Sequence, residues 1–144
     1  TVSGTSATAT FLAGTAAGTA TINVTVSDGK GGMATSSVNV TIELLPPEIK
    51  ITKQDVQNTQ GNDCVLFYAV PQEEVRINSV TIINPLSNSI VYNVQGTLVV
   101  KGQPVALQDS VSCYTRLSGE YQFTFTGERP GGPGFTAKAT YVQP

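Results

Sequence analysis

From Gly18 to Leu44 the chain reads GTATINVTVSDGKGGMATSSVNVTIEL, two alternating arms around a glycine-rich centre. In the first arm Ala20, Ile22, Val24 and Val26 alternate with Thr19, Thr21, Asn23, Thr25 and Ser27; in the second, Val38, Val40 and Ile42 keep the same period. A period of two puts apolar side chains on one face of a pleated strand and leaves the other polar. Between the arms, Ser27-Asp28-Gly29-Lys30-Gly31-Gly32 joins an Asp that can bond the backbone just ahead of it to glycines that accept positive φ, so the chain reverses there. The pattern predicts a hairpin with one apolar face.

The run Gly18-Thr-Ala-Thr-Ile-Asn-Val-Thr-Val-Ser-Asp-Gly-Lys-Gly-Gly-Met-Ala-Thr35 resembles the closing strands of bacterial immunoglobulin-like surface modules, the PKD, cadherin-like and invasin-type families. That resemblance covers residues 1–45. It implies a β-sandwich unit from a long, secreted or cell-surface bacterial protein, and it implies no particular ligand.

Upstream, Ala7, Ala9 and Phe11 alternate with Thr8 and Thr10, one more strand feeding the hairpin. The first 45 residues thus hold about three strands, fewer than the ~7 of a closed sandwich, and read as the last strands of an incomplete unit. Leu44-Leu45-Pro46-Pro47 then breaks the alternation, because each proline removes a backbone donor and favours an extended residue before it. The sequence therefore divides at a short, stiff linker into 1–45 and 46–144.

The second part predicts strands at Ile49–Thr52, Cys64–Val70, Val75–Ile83, Ile90–Val100, Val105 onward to Cys113, Ser118–Phe125 and Phe135–Val142, with Gln54–Asn62 as a polar loop. About seven strands at this spacing indicate an all-β, immunoglobulin- or fibronectin-like β-sandwich. Val75–Ile83 places apolar residues on both parities, which leaves its buried face open and admits a bulge, and Gly96 interrupts Ile90–Val100 at a bulge or corner. Tyr121, Phe123 and Phe125 form one core face, as do Phe135, Ala137, Ala139 and Tyr141. Gly119-x-Tyr121 is similar to the tyrosine corner of immunoglobulin-type sandwiches, with Leu117 where an Asp is usual and Phe123 where a cysteine is usual.

Only 12% of the 144 residues are charged, and the net charge of −2 includes eight scattered Lys and Arg. Such a chain lacks the field that holds a phosphate backbone, so nucleic acid is not an expected partner. No apolar run approaches the ~20 residues of a membrane-spanning helix, so no membrane insertion is expected. Without an initiator Met or a basic leader, the chain reads as an internal piece of something longer. Cys64 and Cys113 are the two cysteines, too few for a four-ligand zinc site, and are expected to form one disulfide in an oxidising exterior.

The sequence has no histidine, which removes Ser-His-Asp and Cys-His catalysis and imidazole metal sites together. Glu73-Glu74, Asp109, Glu120 and Glu128 could supply paired carboxylates, but adjacent strand residues point apart and Glu73-Glu74 reads as a solvated turn. Asp28 alone is too little for a calcium site of six to eight oxygens. Asn23-Val24-Thr25 and Asn39-Val40-Thr41 match the glycosylation sequon, yet both lie where an exposed polar strand face would carry such residues anyway.

The expectation is a non-enzymatic stalk, spacer or adhesion module without cofactor or metal, whose partners are neighbouring immunoglobulin-like modules or another copy of the chain. Two alternatives stand beside it. A carbohydrate-binding module would use outward aromatics, for which Tyr68, Tyr92 and Tyr114 are the candidates, and a fibre subunit would assemble by strand exchange.

Overall fold

The computed structural model describes residues 11–12 and 16–144. Among them every regular element is a β-strand, and the chain divides into two compact units, Thr1–Leu45 and Pro46–Pro144. The strand expected at Ala7–Phe11 lies almost wholly outside the described residues.

In the first unit β1 (Gly18–Ser27) and β2 (Met33–Ile42) pair antiparallel along their whole length, from Gly18 opposite Ile42 to Ser27 opposite Met33. One face carries Ala20 against Val40 and Ile22 against Val38; the other carries Thr21 against Asn39 and Thr25 against Thr35. The polar face is cross-linked, with the Thr21 hydroxyl donating to Asn39 Oδ1 at 2.8 Å and the Thr25 and Thr35 hydroxyls 3.3 Å apart. On the apolar face Val24, Val26 and Val38 remain 51%, 52% and 56% exposed.

The hairpin loop has a form that recurs twice in the second unit. Asp28 Oδ1 accepts from the N–H groups of Lys30 (2.7 Å) and Gly32 (2.9 Å), while Asp28 N–H donates to Gly32 O at 3.1 Å. Asn58 does the same with Gln60 and Asn62, and Asn84 with Leu86 and Asn88, at 2.9 to 3.0 Å. The fourth residue of each loop is left-handed: Gly31 (φ 99°), Gly61 (φ 77°) and Ser87 (φ 62°). Ser87 carries the steric cost of that region, about 1 to 2 kcal/mol, which glycine avoids at the expense of a more flexible unfolded chain. Ser87→Gly should therefore stabilise the unit by about 0.5 to 1 kcal/mol, read as a rise in melting temperature of roughly 3 to 6 °C. A fall in melting temperature would refute the strain argument.

The second unit contains two antiparallel sheets. One has the order β10-β9-β5-β6, from β5 (Val75–Ile83), β6 (Ser89–Val99), β9 (Gly119–Glu128) and β10 (Gly134–Gln143). The other holds β3 (Ile49–Gln57), β4 (Asp63–Pro71) and β7 (Val105–Ala106), with β8 (Tyr114–Thr115) also on β4. Because β3 occupies the whole of one edge of β4, β7 and β8 share the other, opposite Tyr68-Ala69 and Cys64-Val65 respectively. They are two pieces of one interrupted edge strand, so the eight segments make a seven-strand β-sandwich.

Val75–Ile83 contains the bulge that its mixed parity admits. Against β9, Ile77 faces Gly127 and Ser79 faces Thr126, leaving Asn78 as the extra residue. That single insertion flips the parity, so Val75 and Ile77 point inward before it and Val80 and Ile82 after it. Opposite the same place on β6, Gln95 (φ 59°) and Gly96 (φ 65°) bend the strand, and Arg76 donates to Gly96 O at 2.7 Å. Gly127 is where this crowding is greatest, since a Cβ there would sit 2.2 Å from Arg76 O and 2.7 Å from the Phe135 ring.

The core is centred on Phe67, which is fully buried. Its ring centroid lies 4.9 Å from Tyr121, 5.2 Å from Phe123 and 5.8 Å from both Tyr114 and Tyr141, in tilted or edge contacts. Tyr121 closes a tyrosine corner: its hydroxyl donates to Thr115 O at 3.0 Å and accepts from Leu117 N–H at 3.1 Å. The partial sequence match suffices because the motif needs only the phenol and two backbone groups, neither of which depends on an Asp at 117 or a Cys at 123.

Three expectations change. The strand expected from Val105 onward to Cys113 is regular only at Val105–Ala106 and resumes at Tyr114–Thr115, because the chain leaves the sheet between them. The segment Gln54–Asn62 is not all loop, because β3 continues to Gln57, with Gln54 opposite Leu66 and Gln57 opposite Asp63. Backbone pairing is indifferent to side-chain polarity, and Lys53 and Asp55, on the inward parity of this edge strand, form an ion pair with each other. Glu73 is not simply solvated: Arg129 forks onto it, Nε to Oε2 at 3.1 Å and Nη2 to Oε1 at 2.8 Å, tying the β4–β5 loop to the β9–β10 loop. The planar guanidinium matches a carboxylate two bonds at a time, and neither group had a signal for the other 56 residues away in sequence.

Candidate functional site

The interrupted edge strand is the most specialised region of the second unit. Leu107 N–H donates to Phe67 O at 3.0 Å, continuing the β7 ladder by one residue. The next backbone carbonyl does not take its turn. Instead the buried Gln108 side chain places Oε1 2.9 Å from Phe67 N, so a side-chain amide replaces the missing strand carbonyl. The chain then leaves the sheet through Asp109–Ser112, with Ser112 N–H donating to Asp109 O at 3.1 Å and Val111 95% exposed at the tip.

Its return is fixed covalently. Cys64 on β4 and Cys113 form a disulfide with Cα atoms 5.6 Å apart, immediately before Tyr114 and Thr115 resume pairing with Val65 and Cys64. The bridge therefore joins an edge segment to its neighbour in one sheet. It does not link the two sheets through the β9 strand as the usual immunoglobulin bridge does.

Gln108→Leu leaves the buried Phe67 N–H without an acceptor and should destabilise the unit by about 1 to 3 kcal/mol in urea unfolding. Gln108→Glu keeps an acceptor but buries a carboxylate, so its penalty should shrink at acid pH, where the neutral carboxyl still offers a carbonyl oxygen. A Leu variant as stable as the parent would show that the amide is dispensable.

Between β6 and the returning segment the edge of the sandwich is open. A cleft of about 190 Å³ lies among Ile82, Ile90, Tyr114 and Tyr121. A second cleft of about 210 Å³ adjoins it along Val91, Tyr92, Gln108 and Asp109. Tyr114 donates its hydroxyl to Leu107 O, and burial, with smaller contributions from neighbouring Tyr92 and Asp109, pushes it up to about 12. It is a neutral phenol at physiological pH and no candidate for a base.

The three tyrosines considered for ligand contact do not share a face. Tyr92 and Tyr114 pack against the core, whereas Tyr68 is half-buried on the opposite parity from Val65, Phe67 and Ala69. Sequence parity could not settle Tyr92 or Tyr114, because the first lies beside the Gln95–Gly96 bend and the second follows an excursion from the sheet.

At the far end of β3 a polar hollow of about 340 Å³ is lined by Asp55, Gln57, Asp63 and Arg116. The Lys53 ammonium, hydrogen-bonded to Asp55, holds that carboxyl below the usual carboxylate range. Glu128 faces Arg76 at 3.4 Å, so like Glu73 it is paired with a cation and not with a second carboxylate. Asp28 spends Oδ1 on its own turn, and Asn23 and Asn39 lie exposed on the polar face of the hairpin. No group of three or more metal-ligating side chains is assembled among the described residues. Comparison of the chain with family models, curated proteins and solved structures finds no match to any of them.

Proposed function

We propose that the chain is a non-catalytic β-sandwich module of a larger secreted or cell-surface protein of bacterial type, serving as stalk, spacer or adhesion unit. The observation that carries this reading is the apolar face of the β1–β2 hairpin, where Val24, Val26 and Val38 are each more than half exposed. A two-stranded hairpin is marginal in water by itself, and burying one such side chain is worth roughly 1.5 to 3 kcal/mol. The face thus suits a neighbouring sheet, supplied by an adjoining module or another copy. The disulfide accords with an oxidising exterior, and no helix among the described residues is long and apolar enough to cross a membrane.

Amide exchange tests the reading. In the isolated chain the β1–β2 amides should exchange far faster than those of β9. Equal protection would mean that the hairpin needs no neighbour, and the reading would lose its main support. Reproducible turnover of a glycoside, ester, peptide or phosphate, abolished by a single carboxylate substitution, would overturn it outright. Glycan-array binding abolished by Tyr68→Ala would move the assignment to carbohydrate recognition.

A further inference from the structure

The two clefts beside the interrupted edge strand share Ile90, Cys113 and Tyr114 in their linings. They open where β6 of one sheet faces the returning segment of the other, so Tyr92 and Tyr114 reach one opening from different sheets. Its two ends differ in chemistry. Ile82 and Tyr121 line only the first cleft, Asp109 lines only the second, and Ile90, common to both, is 42% exposed.

Most of the polar groups around this opening are already engaged. Asn84 Oδ1 accepts from the N–H groups of Leu86 and Asn88, Gln108 Oε1 from Phe67 N–H, and the Tyr114 and Tyr121 hydroxyls donate to Leu107 O and Thr115 O. The Asp109 carboxylate is different: it belongs to none of the ion pairs among the described residues. No lysine or arginine lines either cleft, and Arg116, the nearest cation along the chain, lies in the separate hollow with its Nε 3.9 Å from Asp55 Oδ1. The Asp109 charge is nevertheless felt inside. Burial is the main cause that pushes the Tyr114 phenol up to about 12, and Tyr92 and Asp109 add to it.

We propose that this opening binds a primary alkylammonium group, with the ammonium beside Asp109 and flanked by Tyr92 and Tyr114, and the aliphatic stem over Ile90 towards Ile82 and Tyr121. The charge selects the occupant. A cation gains from the unpaired carboxylate and from the electron-rich tyrosine rings together. An anion would meet the Asp109 charge with nothing to offset it, and a sugar would find most hydrogen-bonding groups already taken. The site does not rest on the module reading, since it uses only the second unit. The ligand is small and the cleft partly open, so the dissociation constant should be about 1 to 10 mM.

Titration of the ¹⁵N-labelled chain with n-butylammonium chloride at constant ionic strength should give saturable amide shifts at Ile90–Tyr92 and at 109–115. n-Butanol, the same stem without the charge, should bind about fivefold more weakly, and butyrate should not bind. Asp109→Asn changes an exposed side chain and should weaken n-butylammonium by about the same factor while leaving n-butanol unaffected. Ile90→Ala should weaken n-butylammonium but not methylammonium, which has no stem to place there. Nα-acetyl-lysine methylamide separates the two sources of the group: tighter binding than n-butylammonium assigns the site to a lysine of a partner chain, weaker binding to a free amine. Equal affinity for n-butanol, indifference to Asp109→Asn, or equal shifts around Asp63 and Glu120, the mark of loose ion pairing at any carboxylate, would each overturn the proposal.

Discussion

Replacing Phe67 by alanine should cost the second unit about 3 to 5 kcal/mol, in the range measured for large aromatic truncations. The position justifies the upper half of that range. Phe67 is fully buried on the central strand of its sheet and touches four other rings, one of them the tyrosine that closes the corner and another beside the disulfide. The rings around it are anchored from outside the cavity, Tyr121 by Thr115 and Leu117 and Tyr114 by Leu107. They cannot collapse into the vacated space without losing those bonds, and an unrelaxed cavity is the expensive kind. With total stabilities of about 5 to 15 kcal/mol for native domains, the variant would be marginal or unfolded at 37 °C. Phe67→Leu keeps most of the volume and should cost less than half as much. Urea unfolding of both variants measures the difference; equal and small losses would mean that the aromatic cluster is not the core's centre.

What the sequence made legible is what depends on periodicity. The β1–β2 hairpin and the core faces of β9 and β10 follow from which parity carries the apolar residues, whereas the mixed parity of Val75–Ile83 left its buried face open until the register shift at Asn78 resolved it. What it did not show depends on contacts distant along the chain. Glu73 and Arg129 meet across two loops. Gln108 is one glutamine among several until the sheet leaves Phe67 N–H without a backbone acceptor. The polar run of Gln54–Gln57 hid the end of β3, because an edge strand can leave half its side chains wet. Gln143 is the converse case: it shares the inward parity of Phe135, Ala137, Ala139 and Tyr141 and is 1% exposed, with no hydrogen-bond partner for either amide atom among the described residues.

Removing the disulfide should have the other large effect. Cys64 and Cys113 are separated by 49 residues, and closing a loop of that size restricts the unfolded chain by roughly 4 kcal/mol in the chain-entropy account. The double variant Cys64→Ala/Cys113→Ala should therefore melt roughly 15 to 30 °C lower. The folded topology should survive the change, because the returning segment is also held by β8 pairing, by the Tyr114 hydroxyl on Leu107 O and by the tyrosine corner on Thr115. Those ties act on either side of Asp109–Ser112 and leave that loop itself anchored only through Gln108 and its own turn. Amide exchange should consequently accelerate first at Ser112–Thr115 and at Val65, before β9 and β10 respond. The two readouts separate the two contributions. A large fall in melting temperature with unchanged local protection would place the effect in the unfolded chain alone. A variant melting within a degree or two of the parent would show that the bridge contributes little beyond what the edge strand already supplies.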